Sequence, residues 1–331
     1  MSKIKSIFPL GFPWQTQDPF LFCVYHSDHY PEGNEELGPK ASLEGRTLGN
    51  DFTLKDGWRM YHGKKVPGFP AHPHRGFETI TIVNKGFCDH SDSLGAAGRF
   101  GMGDVQWMTA GSGVQHSEMF PLLSTDKENP LEMFQIWLNL PQKNKFAAPH
   151  FAMLWHEEIP ILKTETSTVK VIAGSYNTLE ALDPAPNSWA ADRANDVAIW
   201  NIQVAAESTY ILPKAKNDIP RMLYFYEGDT VEIEGRTLTP NHGISVDALE
   251  SLEIKVRGKN AHFLMLQGKP IDEPIAKYGP FVMNSDEEIQ EAMEEYQRTQ
   301  FGGWPWPDAA NVHDKSKGRF AKYPDGNIVE K

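Results

Sequence analysis

Short β-branched and aromatic runs recur along the chain: TITIV (79–83), LEMFQIWLNL (131–140), TVKVIA (168–173), AIWNIQVAA (198–206), MLYFY (222–226), TVEIEG (230–235), LEIKV (252–256) and HFLMLQG (262–268). Gly, Asn, Asp and Pro punctuate them at short intervals, which is the pattern of strands in sandwiches and small barrels. Helical periodicity is scarce before residue 285, so the predicted class is mostly β. The two halves repeat a theme. NKG (84–86) and then LEMFQIWLNLP (131–141) in the first half are echoed by MLYFYEG (222–228) and HFLMLQGKP (262–270) in the second. This weak self-similarity predicts two related barrels, with residues near 142–165 as the crossover and the polar stretch 178–196 as a long loop. One helix is expected after them. Ser285 and Glu288 have the spacing of a capping box, and Asp286 and Glu287 suit the positive end of a helix dipole. Ile289, Ala292, Met293 and Tyr296 form a single apolar stripe at helical spacing. The remainder reads as an irregular surface tail anchored by Trp304, Trp306, Phe320 and Tyr323. The expected division is therefore 1–145, 146–284 and 285–331.

Composition narrows the function classes. A chain of 331 residues exceeds one typical core and fits two compact domains. With 44 acidic against 32 basic residues the formal net charge is −12, which repels a phosphate backbone and argues against direct nucleic-acid binding. Cys23 and Cys88 form no CxxC pair and read as two buried or partly buried thiols in a reducing compartment. Pro9 and Pro13 interrupt the apolar stretch near the N-terminus, which makes it a poor signal peptide. No run approaches the roughly 20 apolar residues of a membrane span. The expectation is a cytoplasmic protein that binds neither membrane nor nucleic acid.

Candidate chemistry is concentrated in two segments, GFPAHPHRGFETITIVNKG (68–86) and GDVQWMTAGSGVQHSEMF (103–120). Side chains at i and i+2 of a strand share a face about 7 Å apart. His72 and His74 can thus aim at one point, and His116 and Glu118 form a second such pair. A lone His-x-His is more often surface than ligand. The second pair changes that balance, and Gly101, Gly103, Gly111 and Gly113 allow tight turns between the strands. Three imidazoles and one carboxylate suit Fe(II), and also Ni(II), Co(II), Cu(II), Mn(II) or Zn(II). With neutral imidazoles the centre would carry about one net positive charge and attract an anionic oxygen ligand at its open positions.

These two blocks closely resemble the metal-binding blocks of the pirin family, within the cupin superfamily. The similarity extends to DPFLFCVYH (18–26), WRMYHGKKVPGFPAHPH (58–74), VIAG (171–174) and YGPFVMNSDEEI (278–289), and so spans most of the chain. The resemblance implies two tandem cupin barrels of the double-stranded β-helix or jelly-roll kind, with metal only in the N-terminal one. It implies His72, His74, His116 and Glu118 as ligands of one divalent transition metal, Fe(II) first. The general cupin pattern would instead recruit Glu78, which here reads as a supporting acid. In the second half Lys214 and Lys216 stand where His72 and His74 would, His242 and His262 are isolated, and no metal is expected.

His26, His29, His62, His90, His150, His156 and His313 lack a partner at ligand spacing. Of these, His26 and His62 fall in segments shared with the family and read as core or pocket-rim residues. The resemblance implies a quercetin 2,3-dioxygenase activity that opens a flavonol ring with O₂ and releases carbon monoxide; chemically, Glu118 is the group expected to take the hydroxyl proton. A second reading is a redox-sensitive regulatory metalloprotein acting through a protein partner, as a transcription cofactor does. A third is another cupin chemistry, such as an isomerase or small-ligand binder.

Overall fold

In the computed structural model, which describes residues 2–331, all eight apolar runs lie on strands. The chain forms two compact units that do not follow sequence order. One comprises the chain up to Val24, Ile136–Pro141 and Glu157–Asp272; the other comprises Tyr25–Gln135, Gln142–His156 and Glu273–Lys331.

The second of these contains most of a five-stranded sheet in the order His150–Leu154, Val105–Thr109, Phe77–Lys85, Asn129–Asn139 and Phe20–Tyr30. Its other sheet has six strands, in the order Ile328–Glu330, Phe320–Lys322, Ala97–Gly101, Phe87–Asp92, Val114–Met119 and Gly68–His74. Val83, Met133, Phe151 and Met153 from the first sheet meet Cys88, Phe100 and Ala321 from the second in one core. Burying such a Phe or Val side chain contributes about 1.5–3 kcal/mol. The stretch Phe77–Val83 is buried at every position, so it is covered on both faces and reads as a continuous apolar run rather than an alternating one. Gly86 ends that strand at φ 78°, where a Cβ would lie 2.7 Å from the Pro130 carbonyl, so only glycine fits the turn into the next strand.

The first unit repeats this plan. A seven-stranded sheet runs Ile4–Pro9, His242–Val246, Arg221–Glu227, Ala261–Gln267, Ala198–Val204, Ser167–Ala173 and Ile161–Lys163. Opposite it lie Thr209–Leu212, Leu252–Arg257, Thr230–Ile233 and Arg236–Leu238, and residues of both sheets share one core that includes Leu223, Phe225, Val231, Ile254 and Phe263. Phe20–Tyr30, Asn129–Asn139, Phe77–Lys85 and Val105–Thr109 lie side by side in that order, as do Ala198–Val204, Ala261–Gln267, Arg221–Glu227 and His242–Val246 in the first unit, which is the repeat glimpsed in the sequence.

Three local expectations are corrected. The stretch 142–165 is more than a crossover, because His150–Leu154 pairs with Val105–Thr109. The supposed long loop holds a small pairing of Ser175–Tyr176 with Leu179–Glu180 and two 3-10 turns. The tail is not irregular throughout, since Phe320–Lys322 pairs with Ala97–Gly101 and with Ile328–Glu330. The expected helix spans Asp286–Thr299, with the Ser285 side chain accepting from the Glu288 N–H and with Ile289 and Ala292 buried. Glu288 Oε2 accepts from the Asn284 N–H rather than from that of Ser285. Cys23 and Cys88 are free and buried.

The tail is fastened by Arg99, which is fully buried. Its Nε and Nη2 donate to Asp89 Oδ1 and Oδ2 at 2.7 and 2.8 Å, while Nη1 donates to the carbonyls of Asp314 and Lys317 and Nη2 also to that of His313. Removing one partner of a buried pair leaves an uncompensated charge. Asp89→Ala should therefore cost about 3–5 kcal/mol, read from the urea midpoint. It should also make the chain beyond residue 303 sensitive to protease. A loss below about 1 kcal/mol would contradict the clasp.

Candidate metal centre

The strands Gly68–His74 and Val114–Met119 pair antiparallel in the second unit, with His72 opposite His116 and a register shift between Phe69 and His72. Their close approach depends on Gly68, at φ 131°, where a Cβ would lie 2.4 Å from the Glu118 carbonyl. Parity then acts as the sequence suggests. The rings of His72 and His74 are 4.8 Å apart, those of His72 and His116 4.5 Å, and those of His74 and His116 4.9 Å. One nitrogen from each ring lies within 4.8 Å of the others.

Burial decides the protonation of these rings. Desolvation holds His72 down to about 4, and His74 and His116 well below the ordinary histidine value, with neighbouring histidines pushing the same way. All three are neutral near pH 7, the form that offers a lone pair to a metal. His72 Nδ1 donates to the Pro70 carbonyl at 2.8 Å and His74 Nδ1 more weakly to that of Pro280 at 3.4 Å, which leaves each Nε2 as the lone-pair nitrogen. His116 is 0% exposed, and neither of its ring nitrogens has a hydrogen-bond partner among the described residues. A buried imidazole in that condition is costly unless something else meets its nitrogens. The donor set fits a borderline divalent cation.

Glu118 is close but outside the tight histidine group: its Oε2 lies 3.9 Å from His116 Nε2. Thr81 Oγ1 donates to its Oε1 at 2.8 Å, and Gln135 Nε2 donates to its Oε2. Burial raises the Glu118 pKa above the usual carboxylate range, and the Thr81 and Gln135 hydrogen bonds partly offset this. Glu78, fully buried on Phe77–Lys85, accepts from Thr109 Oγ1 at 2.7 Å.

Thr81, Gln135 and Asp92 were not singled out from the sequence, and His90 read there as a histidine without a partner at ligand spacing. His90 stands opposite Glu118 and Asp92 opposite His116 on the neighbouring strand Phe87–Asp92. The His90 ring lies 5.5 Å from that of His116, stacks on Phe151 and reaches Asp92 Oδ2 through Nε2 at 3.3 Å. Its reading as a histidine without a partner is thus corrected: the partner is a carboxylate at i+2, a signal present in HSD (90–92). Thr81 and Gln135 lay inside runs that read simply as strand.

Beside the centre, Phe69 packs against His72, His62 and His26, at 6.4, 5.6 and 6.0 Å. Tyr61 donates to Asp28 Oδ2 at 2.6 Å, so its oxygen accepts from His26 Nδ1 at 2.8 Å. Arg59 closes the chain on Asp28 Oδ1 at 3.2 Å.

The sequence profile of the Pirin family matches residues 40–138, and that of the Pirin C-terminal cupin domain matches residues 199–302. A Pseudomonas aeruginosa protein provisionally named a quercetin 2,3-dioxygenase is 39% identical over 235 residues, covering 70% of this chain and 79% of that protein. Pirin of Homo sapiens is 32% identical, covering 73% of this chain and 80% of its own. The solved structure of a quercetin 2,3-dioxygenase from Acinetobacter baumannii covers 92% of this chain and 99% of its own, at a TM-score of 0.70 and 25% identity.

Burial first, and the Arg59 charge second, push the His26 pKa from 6.5 down to about 3. Above pH 6.5 the ring is neutral in both folded and unfolded chains. As pH falls from there toward 3, the unfolded chain takes up a proton that the native ring refuses, so stability drops by up to about 1.4 kcal/mol per pH unit from this residue. In His26→Gln the slope of unfolding free energy against pH between about 6 and 4 should flatten by about one proton. An unchanged slope would remove His26 from the account.

Proposed function

Because the chain belongs to the pirin family, we propose that His72, His74, His116 and Glu118 hold one divalent transition metal and that the protein is a dioxygenase acting on quercetin-type flavonols. The observation that carries the metal assignment is His116, fully buried with two partnerless nitrogens and two neutral imidazoles beside it. Nitrogen-rich ligation with one carboxylate favours Fe(II), with Ni(II), Co(II), Cu(II), Mn(II) and Zn(II) in the same chemical class. The support for the substrate class is the likeness to proteins named quercetin 2,3-dioxygenases.

When bound, the ion supplies Lewis-acid polarisation of the flavonol's 3-hydroxyl and neighbouring carbonyl oxygens. The remaining work belongs to the chain. The carbonyls of Pro70 and Pro280 fix the ring orientations of His72 and His74. Glu118 takes the 3-hydroxyl proton at Oε2. Thr81 and Gln135 hold that carboxylate so that it faces the proton it must accept. The partly exposed Phe69 ring, packed against His72 and backed by the buried Tyr61, gives a planar substrate an apolar surface beside the histidines.

Protein purified without added metal should contain about one equivalent of a transition ion, and His116→Ala should lower its metal affinity at least about 10-fold. The loaded protein should consume quercetin and O₂ one for one. Glu118→Gln should reduce turnover about 10²–10⁴-fold. Loaded protein that consumes neither reagent over background would overturn the enzymatic reading while leaving the metal assignment to be judged by elemental analysis.

A further inference from the structure

In the first unit, Arg221 opens the strand Arg221–Glu227 in phase with Leu223 and Phe225, the inward-facing core residues of that strand. Its side chain is therefore directed into a barrel, and it is 1% exposed. Nη1 donates to the Pro213 carbonyl at 2.6 Å. Among the described residues neither Nε nor Nη2 has a hydrogen-bond partner, and no carboxylate is paired with this guanidinium. Burial pushes its pKa down to about 10, so it is still a cation near neutrality. A buried cation with an unpartnered donor edge is a costly arrangement for a core to keep.

The edge in question has a specific shape. Nε and Nη2 project side by side and match the two oxygens of a carboxylate. The same chain shows that match completed, since Arg99 closes these two nitrogens on Asp89. Around Arg221 two further polar groups are unmet. Gln267, its cross-strand partner, is buried with Oε1 unpartnered, while its Nε2 donates to the Asp196 backbone carbonyl and to Asp196 Oδ1 at 3.2 and 3.3 Å. Trp200 is buried with its indole N–H unpartnered, and the guanidinium carbon lies 5.3 Å from its ring. Asp196, the nearest acid to Arg221 in electrostatic effect, is committed to Gln267 and, through Oδ2, to Asn217 at 3.4 Å.

We propose that the first unit binds a small hydroxy-carboxylate, whose carboxylate oxygens meet Nε and Nη2 of Arg221 and whose hydroxyl donates to Gln267 Oε1. The Trp200 indole N–H supplies a further donor. Water alone would satisfy hydrogen bonds there but would leave the charge uncompensated. The covering segment 213–220 lies outside any helix or strand and must move for a ligand to enter. Lys214 and Lys216 on it are exposed and attract an anion toward this segment. The inference concerns the unit without the histidine cluster and does not rest on the dioxygenase reading.

The test is thermal unfolding of the full chain in sodium glycolate against sodium chloride at equal ionic strength. Glycolate should raise the wild-type melting temperature saturably, by about 2–4 °C near saturation. Arg221→Lys keeps a positive charge but lacks the two-nitrogen edge, and in it the glycolate-specific rise should vanish while metal content stays at the wild-type level. No glycolate-specific rise in the wild type, or an equal rise in Arg221→Lys, overturns the proposal. Should that variant fail to fold, a wild-type crystal grown in glycolate decides. Planar density closing on Nε and Nη2 supports the site; ordered water alone on both nitrogens overturns it.

Discussion

A neutral imidazole buried with both nitrogens unmet is the constraint from which the second unit is best understood. His116 is in that state because Val114–Met119 is buried at all six positions and pairs with the strand that carries His72 and His74. The same burial that strips water from the rings also keeps them unprotonated, so lone pairs and apolar packing arise from one cause. The barrel wall presses the rings together, and the groups around them are chosen to orient rather than to satisfy. Pro70 and Pro280 take the outward N–H groups, Thr81 and Gln135 take the Glu118 oxygens, and nothing described takes His116.

The polar neighbours of this centre are arranged in two ranks by strand pairing. His90 and Asp92 lie directly across from Glu118 and His116, so the strand Phe87–Asp92 supplies a second imidazole–carboxylate pair in register with the first. Opposed residues of an antiparallel pair share a face, which explains why four chemically active side chains crowd one wall without any long loop to bring them there. His90 adds a stack on Phe151, a residue of the common core, and so couples the polar wall to the packing that supports it.

How much of this was legible follows from what each signal depends on. The eight apolar runs announced their strands because burial on one or both faces writes itself into composition. Strands made of polar residues left no such trace: FCDHSD (87–92) is buried at five of six positions, yet hydropathy alone reads it as a loop. The tail strand Phe320–Lys322 was hidden because its pairing with Ala97–Gly101 depends on a buried arginine far away in sequence. The grouping of His72, His74 and His116 was legible because strand parity needs only a spacing of two. His90 was passed over because its partner is an aspartate rather than another histidine, and Gln135 because an amide inside LEMFQIWLNL looks like an exception on a strand rather than a hand on a carboxylate.

Arg99 and Arg221 show how one residue type takes opposite roles inside these barrels. Both are buried, and both carry the side-on edge of Nε and Nη2. Arg99 meets a carboxylate of its own chain and spends its other donors on the backbone of the tail, so its whole bonding capacity is structural. Arg221 begins its central strand just as Phe77 begins the corresponding strand of the second unit, three residues beyond His74. In the second unit His72 and His74 thus lie just before that strand, and in the first unit Arg221 opens it. On the proposals above, the imidazoles there meet a cation and the guanidinium an anion. A repeated fold can thus carry two opposite recognition chemistries by changing side chains at one end while the apolar layers behind them stay the same.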